Sequence, residues 1–163
     1  MQDSGQGSMS GRRRGHTTSA TIGGERFSLT VTKRADATLC EVRIGCGKYG
    51  SGIAGLMDAY ATAISAGLQH GVPLADLLRP GLGLCFAPGG STDDPEIPRV
   101  RSAVDYFSRR LAIDWLPEAD RNALGVRTIG ERAARAVDQA GTDAPALHLA
   151  VARAGAGALA RTG

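Results

Sequence analysis

The sequence predicts an α+β domain in which an antiparallel β-hairpin packs on a long amphipathic helix, with further helices and an alanine-rich helical C-terminal region. Three observations predict this fold. Apolar and polar residues alternate over two short stretches, one long stretch has apolar residues at helical spacing, and alanine dominates after Pro117. A chain of 163 residues can form one domain with a core plus tails. We expect a tail over 1–22, the domain over 23–117 and a helical extension over 118–163.

The first segment, residues 1–22, is rich in Gly, Ser, Thr and Arg and shows no apolar periodicity. It would bury too little apolar surface to offset the entropy cost of ordering, so we expect a disordered basic tail. Arg12–Arg14 lie here and account for most of the formal net charge of +3. The remainder is nearly neutral, so we expect no nucleic-acid partner.

Two alternating stretches predict the hairpin. Over Glu25–Lys33, every second residue from Phe27 to Val31 is apolar. The same alternation resumes after the polar turn 34–37, from Cys40 to Cys46. Cys40 and Cys46 fall on the apolar face of the second stretch. We expect these two cysteines and Cys85 to be small buried hydrophobic residues, because no Cys/His spacing of a zinc site is present.

Helices account for the rest of the predicted fold. Apolar residues recur at helical spacing from Ser51 to His70, which is the strongest periodic signal in the chain. A short helix is expected over Pro73–Leu78, and a longer one over Pro98–Leu116. That third helix is expected to have a solvated face bearing Arg99, Arg101, Asp105, Arg109 and Arg110. Alanine-rich helices are expected over Thr128–Ala140 and Ala144–Ala160.

A glycine-rich turn joins the second strand to the long helix. Gly45, Gly47 and Gly50 form the string G-x-G-x-x-G. A dinucleotide site also needs a second parallel strand about 20 residues later, where this helix is still running. Generic anion binding by Lys48, Gly50 and Ser51 at the helix N-terminus is the remaining functional hypothesis. A glycine-rich turn that only leads the strand into the helix is the simpler alternative.

Other site classes find no support in the sequence. We identify no catalytic constellation and no metal-ligand spacing. No apolar run is long enough to span a membrane, and no secretory signal is present. A cytoplasmic protein without membrane or nucleic-acid partners is the simplest interpretation.

Several stretches resemble a known family. The similarity covers about Gly23 to Leu116, and it is carried by Glu41–Ile44, Lys48 with Gly50, Leu56–Met57, Gly67–Gln69, Gly71–Leu74 and Ser102–Ala112. These stretches resemble a segment near the C-terminus of cobalamin-dependent (class II) ribonucleotide reductases, also known as a freestanding TSCPD-type domain. Complete members carry a large barrel with the radical-bearing cysteine, for which this chain has no room. None of the three cysteines lies in a matching motif.

The resemblance implies a bacterial or phage domain linked to deoxyribonucleotide synthesis. It would bind a nucleotide or a reductase chain, or assemble with itself, and would not catalyse alone. One alternative is a subunit of a split ribonucleoside-diphosphate reductase, active only in a complex. Another is a non-catalytic structural or regulatory interaction protein. We expect no cofactor on this chain, and cobalamin only through a partner reductase.

Overall fold

Three antiparallel strands form the main sheet of this computed structural model. The structure describes residues 15–47 and 50–139. The strands are β1 (Gly15–Ile22), β2 (Glu25–Lys33) and β3 (Leu39–Cys46), adjacent in that order, and a small ribbon pairs β4 (Gly90–Ser91) with β5 (Arg99–Val100). The helices are α1 (Gly52–Gln69), α2 (Leu74–Leu78), α3 (Ala103–Trp115), α4 (Glu118–Ala123) and α5 (129–139), with a 3₁₀ turn at Arg79–Gly81. The α+β class is therefore confirmed.

Strand β1 corrects the prediction that 1–22 is a disordered tail. Its eight residues pair with β2 in register from Gly15 opposite Thr32 to Ile22 opposite Glu25. A two-residue turn joins the strands, with φ of 57° at Gly23 and 87° at Gly24, the left-handed pair that a type I′ hairpin requires. Only Ala20 and Ile22 are buried, so the strand has little apolar alternation to detect. Residues 1–14 lie outside the described residues.

The predicted hairpin of β2 and β3 is present and supplies most of the buried sheet face. Phe27, Leu29 and Val31 are buried from β2, as are Val42 and Ile44 from β3. Helix α3 covers β2, where the rings of Phe27 and Phe107 meet edge to face at 5.9 Å. The sheet and its helices thus enclose one apolar core.

Helix α1 lies along the free edge of β3, as the contacts of Ser65 show. The Ser65 hydroxyl accepts a hydrogen bond from the N–H of Val42 at 2.9 Å. It also lies 3.1 Å from the Val42 carbonyl and 2.9 Å from the Ala61 carbonyl, and it can donate to one of them. Helix α1 begins after Ser51, as predicted. The helix therefore covers backbone groups that would otherwise be an open sheet edge.

Helix α3 begins at Ala103, later than the predicted start at Pro98, because residues 99–100 form β5. Ser102 caps it by accepting from the N–H of Asp105 at 3.1 Å. The Asp105 carboxylate in turn accepts from the N–H of Arg101 at 3.0 Å and of Gly83 at 2.8 Å. Asp105 is only 1% exposed, so the prediction that it lies on a solvated helix face was wrong.

The C-terminal part divides later than predicted. The chain separates into two units between Val126 and Arg127, and Val126 is buried in the core of the first. Helix α4 therefore belongs to the first unit, not to an extension starting at 118. In the second unit, Thr128 and Glu131 form a capping box for α5. The second predicted alanine-rich helix lies outside the described residues. No helix in the described part of the chain could cross a membrane.

Replacing Ser65 by alanine is expected to lower the free energy of unfolding by about 1–3 kcal/mol, because the buried N–H of Val42 would lose its acceptor. Urea unfolding measures this cost. Ser91→Ala is the matched control, because Ser91 is exposed on β4, and its cost is expected to stay within about 0.5 kcal/mol. Equal costs for the two variants would contradict the edge-closing role of Ser65.

Candidate functional site

The predicted anion site lies where β3 leads into α1. Gly50 has a φ of 81°, and the Ser51 hydroxyl accepts from the N–H of Ala54 at 3.3 Å. Gly45 lies within β3, whose only strand neighbour in the described sheet is antiparallel. A parallel dinucleotide-binding unit is therefore absent from the described residues, as the sequence predicted. Lys48 lies outside the described residues.

The first turn of α1 has the features of a weak anion-attracting terminus. The Ser51 hydroxyl accepts a hydrogen bond from the N–H of Ala54, and the N–H of Gly55 donates to the Ser51 carbonyl at 3.1 Å. Within the described residues, the N–H groups of Gly52 and Ile53 have no acceptor. No acidic residue lies in this turn. The positive end of the helix dipole is thus accessible to a negatively charged group.

A second candidate is a groove of about 590 Å³ between α3 and the part of the sheet formed by the start of β1 and the end of β2. Its floor comes from β1 and β2, one wall from the loop before β5, and the other from α3. The lining residues are His16, Thr18, Ser19, Val31, Lys33, Asp93, Asp94, Pro95, Tyr106, Arg110, Asp114 and Trp115. This volume is in the range of small-molecule sites.

Asp94 organises the polar wall of this groove. Its carboxylate accepts from the N–H of Glu96 at 2.9 Å, the hydroxyl of Tyr106 at 2.8 Å and the guanidinium of Arg110 at 3.3 Å. Arg110 also donates to both carboxylate oxygens of Asp114. Burial, followed by the hydrogen bond to Asp94, raises the pKa of Tyr106. This phenol is therefore a hydrogen-bond donor at neutral pH, not a base.

The remaining charges make the groove slightly acidic. The ammonium of Lys33 lies 4.8 Å from the centre of the Trp115 ring, a cation–π contact. Asp93 accepts from the N–H of Thr21, which holds the pKa of its carboxyl below the usual value. Three carboxylates thus face the two cations Lys33 and Arg110. Because both carboxylates beside Arg110 already neutralise it, the groove suits a neutral or cationic group better than a phosphate.

The cysteines differ in environment more than the sequence suggested. Cys40 is buried, and its thiol donates to the Thr32 carbonyl at 3.3 Å. Cys46 is half-buried, and burial raises the pKa of its thiol. Cys85 is exposed, so the prediction that all three are buried was wrong for it. Among the described residues no cluster of His, Cys, Asp or Glu could hold a metal ion.

Sequence reasoning missed the groove because its parts are distant in the chain. It assigned Arg110 to a solvated helix face, and no local pattern points to Asp94. A detectable signal was the spacing of Tyr106, Arg110 and Asp114, which puts all three on one face of α3. Asp94, which accepts from Tyr106 and Arg110, is brought to this helix face only by folding.

Asp94→Asn is expected to lower the free energy of unfolding by about 1–3 kcal/mol, because Tyr106 and Arg110 would lose a charged acceptor in a largely buried setting. The matched control is Asp114→Asn, which also removes a carboxylate from Arg110. The Asp114 side chain is 36% exposed against 11% for Asp94, so its cost is expected to stay below about 1 kcal/mol. Chemical denaturation measures both, and a larger cost for Asp114→Asn would contradict the central position of Asp94.

Comparison with known proteins places this fold in a family. The family model described as the TSCPD domain matches residues 8–114. The chain is 45% identical over 120 residues to the vitamin B12-dependent ribonucleotide reductase of Streptomyces avermitilis, and equally to that of Streptomyces coelicolor. Each match covers 74% of this chain and 12% of the relative.

A more distant relative is the vitamin B12-dependent ribonucleotide reductase of Agrobacterium fabrum, 34% identical over 110 residues, or 67% of this chain and 9% of the relative. The chain therefore spans only a small part of the length of these curated relatives. No solved structure matches the chain. The match to the family model covers well over half of the chain and includes all three strands of the sheet and nearly all of α3. This chain belongs to the TSCPD domain family.

Proposed function

We propose that this chain is a reductase-related binding domain that serves deoxyribonucleotide synthesis by binding a nucleotide or a reductase chain, and that it does not reduce ribonucleotides by itself. One observation carries the proposal. Nearly three quarters of the chain is similar to a segment that forms only 12% of a vitamin B12-dependent ribonucleotide reductase. A segment of this size in a large enzyme is suited to binding or positioning.

The proposed nucleotide site is the turn before α1, with Lys48, Gly50 and Ser51. The accessible N–H groups of Gly52 and Ile53 and the lack of acidic residues in the first turn support it. A phosphate there would receive backbone hydrogen bonds and the attraction of the helix dipole. Lys48 precedes the first turn of α1 in the sequence and would add a positive charge to the site.

A reductase chain is the proposed protein partner. In the relatives, the similar segment is covalently joined to the rest of a long reductase chain. We expect cobalamin and the reacting substrate to be held by that partner. The second candidate function, a subunit of a split reductase, rests on the same similarity. The third, a structural or regulatory interaction protein, would use the exposed helix α5.

Nucleotide binding is tested by calorimetric titration of the full chain with ribo- and deoxyribonucleotides. Lys48→Ala is expected to weaken binding about tenfold or more, because it removes a charged contact to phosphate. The matched control is Lys33→Ala, which removes the chain's other lysine from the groove and should leave affinity unchanged. Loss of binding with Lys33→Ala alone would place the ligand in the groove, and no binding of any nucleotide would reject this half of the proposal.

The reductase partnership is tested by co-purification with a barrel-containing cobalamin-dependent reductase chain, followed by activity assays with and without this protein. Binding without a change in rate is the expected result for an accessory domain. Activity that appears only in the complex would instead favour the split-reductase alternative. If the two chains do not associate, this half of the proposal is rejected.

A further inference from the structure

The outer edge of β1 is closed over only its C-terminal half. There, the loop before β5 runs alongside the strand. Thr21 donates its N–H to the Asp93 carboxylate at 2.7 Å, and its carbonyl accepts from the Asp93 N–H at 3.3 Å. The Gly23 N–H reaches the Ser91 carbonyl at 3.0 Å. The loop thus supplies the partner that a fourth strand would otherwise supply.

The N-terminal half of the same edge is open. Backbone groups alternate in direction along an antiparallel strand, so those of Gly15, Thr17 and Ser19 point the same way as those of Thr21, away from β2. Within the described residues, no group bonds to the outward N–H or C=O of these three residues. The opposite edge of the sheet, by contrast, is covered at Val42 by Ser65. An open stretch of this kind is a template for another strand.

Nothing in the open stretch discourages pairing. Residues 15–19 read Gly-His-Thr-Thr-Ser and contain no proline, lysine or acidic residue. Proteins commonly use such residues, or a bulge, to protect a free edge. Threonine also favours the strand conformation. The edge therefore has both the free backbone groups and the composition needed to accept a partner strand.

We propose that β1 pairs with β1 of a second copy of this chain, antiparallel and two-fold symmetric about Thr17, to give a continuous six-stranded sheet. This register pairs Gly15 with Ser19 of the partner subunit and Thr17 with its own counterpart. It uses all three open residues and stops before Thr21, which the loop already occupies. Such an interface is isologous and closed, the arrangement expected of a dimer.

Charge complementarity supports the second copy as the occupant. In this register Gly15 of the partner subunit pairs with Ser19, so the N-terminal end of the partner's β1 lies beside the loop that carries Asp93 and Asp94. That preceding stretch contains Arg12–Arg14, the densest basic run in the sequence. The three carboxylates of the groove outnumber its two cations. The basic sequence before β1 and the groove beside the open edge are therefore of opposite charge, which favours a second copy as the partner, and this pairing is independent of nucleotide binding.

The first test is the oligomeric state of the full chain, measured by sedimentation equilibrium from low to high micromolar concentration. We expect a monomer–dimer equilibrium that Thr17→Pro weakens at least about tenfold, since proline removes the outward N–H from both halves of the central pair. Thr17→Ala is the matched control: both variants lose the hydroxyl contact with Thr30, but only proline loses the N–H. A wild-type chain that stays monomeric, alone or with a reductase chain bound at this edge, would overturn the proposal.

A second test does not depend on proline being tolerated. In a Cys85→Ala background, Thr17→Cys is expected to form an intermolecular disulfide under mild oxidation, because directly paired residues have Cα atoms about 5.5 Å apart. Thr30→Cys is the control on the same sheet face. Thr30 lies on β2, directly beside Thr17. In the proposed dimer the two Thr30 residues are therefore three strand spacings apart, about 14 Å. Equal cross-linking at both positions, or none at Thr17→Cys, would overturn the proposed register.

The electrostatic contribution has its own variant. Replacing Arg12, Arg13 and Arg14 together by serine is expected to weaken dimerisation several-fold and to reduce its dependence on salt. Dimerisation that is unchanged in both respects would overturn the role of the arginines in the interface.

Discussion

The exposed backbone edges of a three-stranded sheet are the constraint on which this structure depends. Such a sheet leaves two rows of N–H and C=O groups without strand partners. On β3, helix α1 covers the edge, and the hydroxyl of Ser65 bonds to Val42. On β1, the loop at Asp93 closes half of the edge. The positions of α1 and of the loop before β5 are thus consequences of edge closure as much as of apolar burial.

The second organising element is the pair of buried or partly buried carboxylates that tie loops to α3. Asp105 fixes the start of the helix and holds Gly83, while Asp94 connects the loop before β5 to Tyr106 and Arg110. The contacts of Asp94 join two sides of the groove, the loop before β5 and α3. The groove that holds Asp93, Asp94 and Asp114 is also lined by Thr18 and Ser19 of β1, so it lies beside the open part of the strand edge.

The sequence predicted the elements whose pattern is local. Apolar alternation located β2 and β3, helical spacing located α1, and the interrupted glycine motif excluded a dinucleotide fold. Strand β1 was missed because only Ala20 and Ile22 are buried on it, and its pairing depends on β2. Asp105 was assigned wrongly to a solvated face for the same reason, because its bond to the distant Gly83 is fixed by folding and not by spacing. The groove is therefore invisible to sequence patterns, whereas the turn with Gly50 and Ser51 follows from the local sequence, and its role in anion binding stays a prediction.

Hydrogen exchange of individual backbone amides tests the edge-closure account most directly. The account predicts slow exchange at Val42 and Thr21 at every protein concentration, because the Ser65 hydroxyl and the Asp93 carboxylate accept from them. At Thr17 and Ser19 it predicts fast exchange in dilute protein and slow exchange at concentrations where the chain dimerises. Fast exchange at Val42, or an exchange rate at Thr17 that is independent of concentration, would contradict it.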